Sequence, residues 1–196
     1  MDRYPGGFPV PVPLLTEKDE EMLYSLRGSA CFFTGHRDIP QNRQQPLAEL
    51  LEREIGSLIY QGFSVFISGA ARGFDLMAAA AVLFHKRSHT DVRLILAVPC
   101  PGQSRGWSRE EQQLYGMILS RGEPYLLSET YEKDSMQKRN CFMVDHAIMG
   151  VAYYREDRPY TGTAQTIRYA EKKRIPYLNL AGFPELSDDP ADRNKA

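Results

Sequence analysis

Charge of one sign, long apolar runs and paired cysteines are all scarce in this chain. Its 24 lysines and arginines stand against 25 aspartates and glutamates, a formal net charge of −1. A balanced chain lacks the broad positive footprint through which nucleic-acid binders neutralise many phosphates. Nucleic acid is therefore not the expected partner. No run of about 18 apolar residues occurs, the length a membrane-spanning helix needs. The opening Met1-Asp2-Arg3-Tyr4-Pro5 carries no continuous apolar region of a secretion signal. The expectation is a cytoplasmic protein with no membrane partner. The cysteines, Cys31, Cys100 and Cys141, are odd in number and form no CxxC pair, so they read as buried free thiols of a reducing compartment. Together with the four histidines they lack zinc-ligand spacing, and neither a paired-carboxylate pattern nor a nucleophile elbow appears. Nothing in the pattern calls for a metal or a cofactor, and no catalytic residue stands out.

What is present is an ordinary globular composition, 42% hydrophobic and 25% charged, which argues against a disordered or fibrous chain. A length of 196 residues fits one domain. Residues 1 to 13 hold four prolines and two glycines, the composition of an extended arm. Thr16 then N-caps a short helix whose stripe is Met22, Leu23 and Leu26. The organisation expected is an arm and short helix over 1–29, a main domain over 30–181 and a polar tail over 182–196.

Within the main domain, apolar runs of strand length alternate with helical periodicities. Ala30 to Thr34, 64–68, Arg93 to Val98, Tyr125 to Leu127, Ile148 to Tyr154 and Pro176 to Leu180 read as strands. Between them lie a Leu47/Leu50/Leu51/Ile55/Leu58 stripe, an alanine-rich helix after Asp75 and a helix opened by the Ser108/Glu111 capping box. Two more helices follow, from about Ser135 to Ala147 and over 163–174. Strands alternating with helices at about 30-residue spacing predict right-handed βαβ units. The fold class is therefore α/β, a three-layer Rossmann-like open sheet, mainly parallel, with helices on both faces. The apolar residues of the helix bearing Tyr115, Ile118 and Leu119, with the proline-rich arm, also point to a homo-oligomer.

Ligands of such sheets sit beyond the carboxyl ends of the strands, where three small-residue loops would gather. They are Thr34-Gly35-His36-Arg37, the stretch from Ser68-Gly69-Ala70 through Arg72-Gly73 to Asp75, and Thr161-Gly162-Thr163. Glycines there let the backbone approach a bound group, and a helix start offers unpaired N–H donors to an anion. Arg37, Arg72, Lys138 and Arg139 are the cations that can converge on it. A small anion is the expected ligand.

These loops, with Lys138-Arg139-Asn140 and Met143-Val144-Asp145, resemble the SLOG superfamily near its YpsA-like members, over about residues 30 to 180. That superfamily has a modified Rossmann-like fold and is similar in its parts to the Lonely Guy phosphoribohydrolases and the DNA-processing protein A core. The resemblance implies that the ligand is a nucleotide or nucleotide-derived molecule. On that reading Gly35, Gly69, Gly73 and Gly162 bring N–H groups to phosphate or ribose, and Arg37 and Arg72 clamp it. Arg139 and Asn140 reach the same edge. Asp75 either accepts from a ribose hydroxyl or caps its helix, and Trp107 either stacks on a base or anchors its loop. The alternatives are N-glycosidic hydrolysis of a nucleoside monophosphate and, behind it, single-stranded DNA binding. Against hydrolysis, Lonely Guy enzymes carry GGxGTxxE and MxxRK. Here Thr166 stands where the glutamate belongs and Asn140 where the lysine does.

Overall fold

The computed structural model of the chain describes residues 11–186. Six strands form one sheet: β1 (Ala30–Gly35), β2 (Val65–Ser68), β3 (Arg93–Val98), β4 (Glu123–Leu126), β5 (Met149–Tyr153) and β6 (Tyr177–Asn179). Their spatial order is β4-β3-β2-β1-β5-β6, and every pairing is parallel. The helices are α1 (Glu17–Ser25), α2 (Gln41–Tyr60), α3 (Phe74–His85), α4 (Arg109–Arg121), α5 (Ser135–Asp145) and α6 (Gly162–Lys173).

The inner strands are buried on both faces, and their alternation divides the core in two. Cys31, Phe33, Phe66, Leu94, Leu96 and Val151 point to the side of α2, α3 and α4, whereas Phe32, Ile67, Ile95 and Ala97 meet α1, α5 and α6. This is the three-layer open α/β sheet expected from the spacing of the strands. Strand order runs outward from β1 to β4 on one side, then restarts at β5 on the other. The connections after β1 and β5 therefore diverge to opposite faces and leave a crevice between them.

Tyr115, Ile118 and Leu119 are each at most 1% exposed within this chain. That stripe belongs to the core of the fold and offers no surface to a second copy. The arm residues 1–10 lie outside the described residues, but Pro13 to Leu15 run beside β4. The Leu126 N–H donates to Pro13 O and the Leu15 N–H to Leu126 O, each at 2.8 Å. Strand β4 starts at Glu123, two residues before the sequence pattern placed it, and tolerates Pro124 because it lies at the sheet edge. Helix α2 starts at Gln41, well before its apolar stripe, and contains Pro46. Its polar opening turns gave no periodic signal. At the other end Leu186 is 2% exposed and Arg53 pairs with Glu185 at 2.7 Å. The chain thus still packs on α2 after residue 182, and 187–196 lie outside the described residues.

Candidate functional site

A cleft of about 380 Å³ opens at the carboxyl edge between β1 and β5. Its walls come from four places in the sequence. The β1 end and following loop supply Thr34, Gly35, His36, Arg37 and Asp38, and the β2–α3 turn supplies Ala71 and Asp75. The first turns of α5 supply Met136, Arg139 and Asn140, and the β5–α6 connection supplies Arg158, Thr161, Gly162 and Thr163.

The floor is a buried ion pair. Arg139 and Asp75 are each 5% exposed, with Nη1 of the arginine 3.9 Å from the carboxylate. The same nitrogen donates to Gly69 O at 2.6 Å, and Arg139 Nε donates to Asn140 Oδ1 at 2.8 Å. Burial pushes the Asp75 carboxyl up to about 6, against the opposing pull of Arg139 and of the nearby Ala71 amide. Burial likewise lowers Arg139, and Asp75 resists that shift. Without the pair, each charge would be left in a desolvated site, which is strongly destabilising.

Gly69 is glycine because of this pair: a Cβ there would lie 1.6 Å from Arg139 Nη1. Ser68 closes the turn, its hydroxyl donating to Asp75 O and accepting from the Ala70 N–H, both at 3.1 Å. Gly73, at φ +79°, would place a Cβ 2.2 Å from Arg37 O. A Cβ on Gly35 would strike the Phe74 ring at 2.4 Å. These glycines are required by the packing of the protein itself.

Gly162 differs. The nearest atom to its Cβ position is Asn140 Nδ2 at 4.0 Å. Thr161 caps α6 by accepting the Ala164 N–H at 3.2 Å. The N–H groups of Gly162 and Thr163, in the first turn, have no helical acceptor. They stand at the positive end of the helix and line the cleft.

His36 is fixed as a neutral acceptor. Its Nε2 takes the Arg155 N–H at 2.9 Å, which leaves the ring proton on Nδ1. Burial, and then Arg158, hold it below the usual histidine range. By this contact the β1 loop fixes the start of the β5–α6 connection. Arg37 and Arg158 are exposed at the rim.

The cleft thus gathers Thr34, Gly35, His36, Arg37, Asp75, Arg139, Asn140, Thr161, Gly162 and Thr163, while Ser68, Gly69, Ala70, Arg72, Gly73 and Trp107 do not line it. Arg72 turns away to Asp38 at 3.0 Å and Glu111 at 3.6 Å. Trp107 lies edge-on to Tyr115, ring centroids 5.3 Å apart, as an anchor of its loop. Lys138 pairs with Glu132 and Asp134 outside the cleft. The sequence reading missed Arg158, Met136, Asp38 and Ala71. Arg158 was findable, because it lies in the connection feeding Thr161-Gly162, which had already been assigned to this edge. Among the described residues no group of three or more His, Cys, Asp or Glu side chains is arranged to hold a metal. Among them, too, no helix is long and apolar enough to cross a membrane.

An all-parallel open sheet with its cleft where the strand order reverses defines a Rossmann-like α/β protein. Within that class the chain belongs to the YpsA family, described as the YspA SLOG family, whose model matches residues 33–181. It is 31% identical over 120 residues to the uncharacterized SPbeta prophage-derived protein YoqJ of Bacillus subtilis (strain 168), covering 55% of this chain and 69% of that protein. It is 25% identical over 149 residues to a UPF0398 protein of Bacillus thuringiensis (strain Al Hakam), covering 74% and 80% respectively. Among solved structures, DNA processing protein A from Helicobacter pylori, studied for its single-stranded DNA binding mode, superposes with TM-score 0.53 at 18% identity. That match covers 80% of this chain and 66% of the other. DNA processing protein A from Streptococcus pneumoniae superposes with TM-score 0.55 at 17% identity, covering 84% and 55%. At such identities the likeness is one of fold, and this chain spans only about half to two thirds of the length of those proteins.

Proposed function

We propose that the chain binds a nucleotide or nucleotide-derived ligand in the cleft between β1 and β5, its phosphate held at the start of α6. The observation that carries this reading is Gly162. Its Cβ position is met by no atom nearer than Asn140 Nδ2 at 4.0 Å, and it shares the cleft with Arg37, Arg139 and Arg158. Free helix N–H groups with arginines around them form an anion cradle. Asp75 is the buried acceptor that would face a ribose hydroxyl and disfavour a second anion deeper in.

N-glycosidic hydrolysis is the weaker reading. Thr166 is 1% exposed, and its hydroxyl donates to Gly162 O at 2.9 Å. It supplies no charge to a developing oxocarbenium ion, and loss of such a group lowers a rate by about 10²- to 10⁴-fold. Single-stranded DNA draws support from the Helicobacter pylori protein of like fold. The balanced charge, and the engagement of Arg72 and Lys138 in ion pairs, speak against it.

The test is a thermal-shift panel of nucleoside monophosphates, ADP-ribose and oligothymidylate. A ligand at 100-fold excess over its Kd stabilises by about 2.7 kcal/mol, a shift of several degrees. A shift with mononucleotides or ADP-ribose is expected. A shift with oligothymidylate alone moves the reading to DNA, and no shift at all removes it. Chromatography of the same mixtures for free base checks hydrolysis.

A further inference from the structure

A second hollow, about 280 Å³, runs down the outer groove between α5 and α6. It adjoins the cleft at Asn140, which lines both. We infer that cleft and groove are one composite site for a nucleoside phosphate, the groove taking the nucleobase. The inference rests on the phosphate reading above and adds the chemistry of the rest of the ligand.

The junction is oriented. Arg139 Nε donates to Asn140 Oδ1, so the Asn140 amide presents its NH₂ group, a donor, toward Gly162, 4.0 Å from where a Cβ would stand. Beside it, Gln137 on α5 and Gln165 on α6, both exposed, line the hollow. Gln165 is three residues beyond Gly162, about 4.5 Å along the helix axis, comparable to the reach of one ribose.

Gln137 and Gln165, each with a donor and an acceptor, and Asn140 with its NH₂ donor match the mixed edge of a nucleobase. Arg168 and Lys172 line the same hollow and would suit a further phosphate, so inorganic phosphate and ribose 5-phosphate are the controls in the titration below. The Tyr169 ring forms a fixed wall, its hydroxyl donating to Asp145 Oδ2 at 2.9 Å while Lys173 holds the same carboxylate at 2.8 Å. Thr166, its hydroxyl donating back to Gly162 O, lines the end of the hollow nearest the α6 start.

Calorimetric titration of the intact chain with AMP, GMP, CMP, UMP, ribose 5-phosphate and inorganic phosphate tests this. At least one nucleoside monophosphate is expected to bind at least about tenfold tighter than ribose 5-phosphate, the discrimination of one good amide–base pair. The double variant Gln137→Ala/Gln165→Ala should bring that ratio to within about threefold. Both glutamines are exposed, so an unchanged melting temperature is the control for folding. Ribose 5-phosphate binding as tightly as every nucleotide overturns the groove assignment and leaves the phosphate cleft standing. So does a ratio that survives the double variant. Collapse of the ratio in Tyr160→Ala instead would move the base onto that 95% exposed ring and overturn the assignment too. No binding by any phosphate compound overturns both readings.

Discussion

The turn after β2 and the turn into α6 look alike in the sequence, each a glycine between an apolar strand and a helix, yet the two glycines do different work. At Gly69 the missing side chain makes room for Arg139, seventy residues away in sequence. At Gly162 the space is left unfilled and faces the cleft. A glycine in a βα turn thus permits close approach without saying of what. The atom that meets the absent Cβ separates a packing role from a binding role.

The sharpest way to break the comparison is to add a methyl to each. Gly69→Ala forces the Arg139 guanidinium off Gly69 O and away from Asp75, which lies 2.9 Å from the new Cβ. Disrupting a buried pair of this kind costs about 3–5 kcal/mol. Urea unfolding should show a loss of that size; a loss below about 1 kcal/mol would mean that Arg139 is not held as described.

The buried pair itself predicts a pH dependence. The Asp75 carboxyl titrates near 6 in the folded protein against an ordinary 3.8. Between those values the folded state holds a proton that the unfolded chain has released, so stability falls as pH rises through the window and is flat above it. Two pK units correspond to at most about 3 kcal/mol. Unfolding curves at pH 4, 5, 6 and 7 for the wild type and Asp75→Asn should differ by an amount that shrinks or reverses across that range. A difference constant with pH would show that Asp75 titrates normally.

Gly162→Ala is expected to leave stability within about 1 kcal/mol, because alanine suits a helix start and meets only Asn140 Nδ2, at 4.0 Å. The same methyl stands where a phosphate would approach and should weaken nucleotide binding by at least about tenfold. Stability lost with binding retained would reverse the roles assigned to the two turns.

How much of this was legible in the sequence follows from the range of each interaction. The parallel sheet could be read because the inner strands are apolar on both faces, and the convergence of the three loops followed from strand direction alone. The partners of the loop residues could not. Gly35 packs on Phe74, Gly73 on the Arg37 backbone and Gly69 on Arg139, contacts made between separate elements and invisible to local spacing. The α4 stripe illustrates the same limit: periodicity showed an apolar face but not that the sheet already covers it. Arg158 carries no helical or strand signal, and only its place in the connection feeding Thr161-Gly162 marks it for the cleft.

The smallest expected effects separate two arginines. Arg72 sits in the glycine-rich turn and looks like a phosphate clamp, but it does not line the cleft and is held between Asp38 and Glu111, with 38% of its side chain exposed. Exposed pairs of this kind contribute about 0–1 kcal/mol. Arg72→Ala should therefore change stability by less than about 1 kcal/mol and nucleotide affinity by less than about threefold. Arg158 lines the cleft and reaches His36 through its charge. Losing one charge-assisted contact to phosphate corresponds to about tenfold in affinity, so Arg158→Ala should weaken binding by that factor and flatten its salt dependence. Measuring both variants by calorimetry at two ionic strengths decides between them. If Arg72→Ala proves the more damaging, the anion sits over the β2–α3 turn rather than at the start of α6.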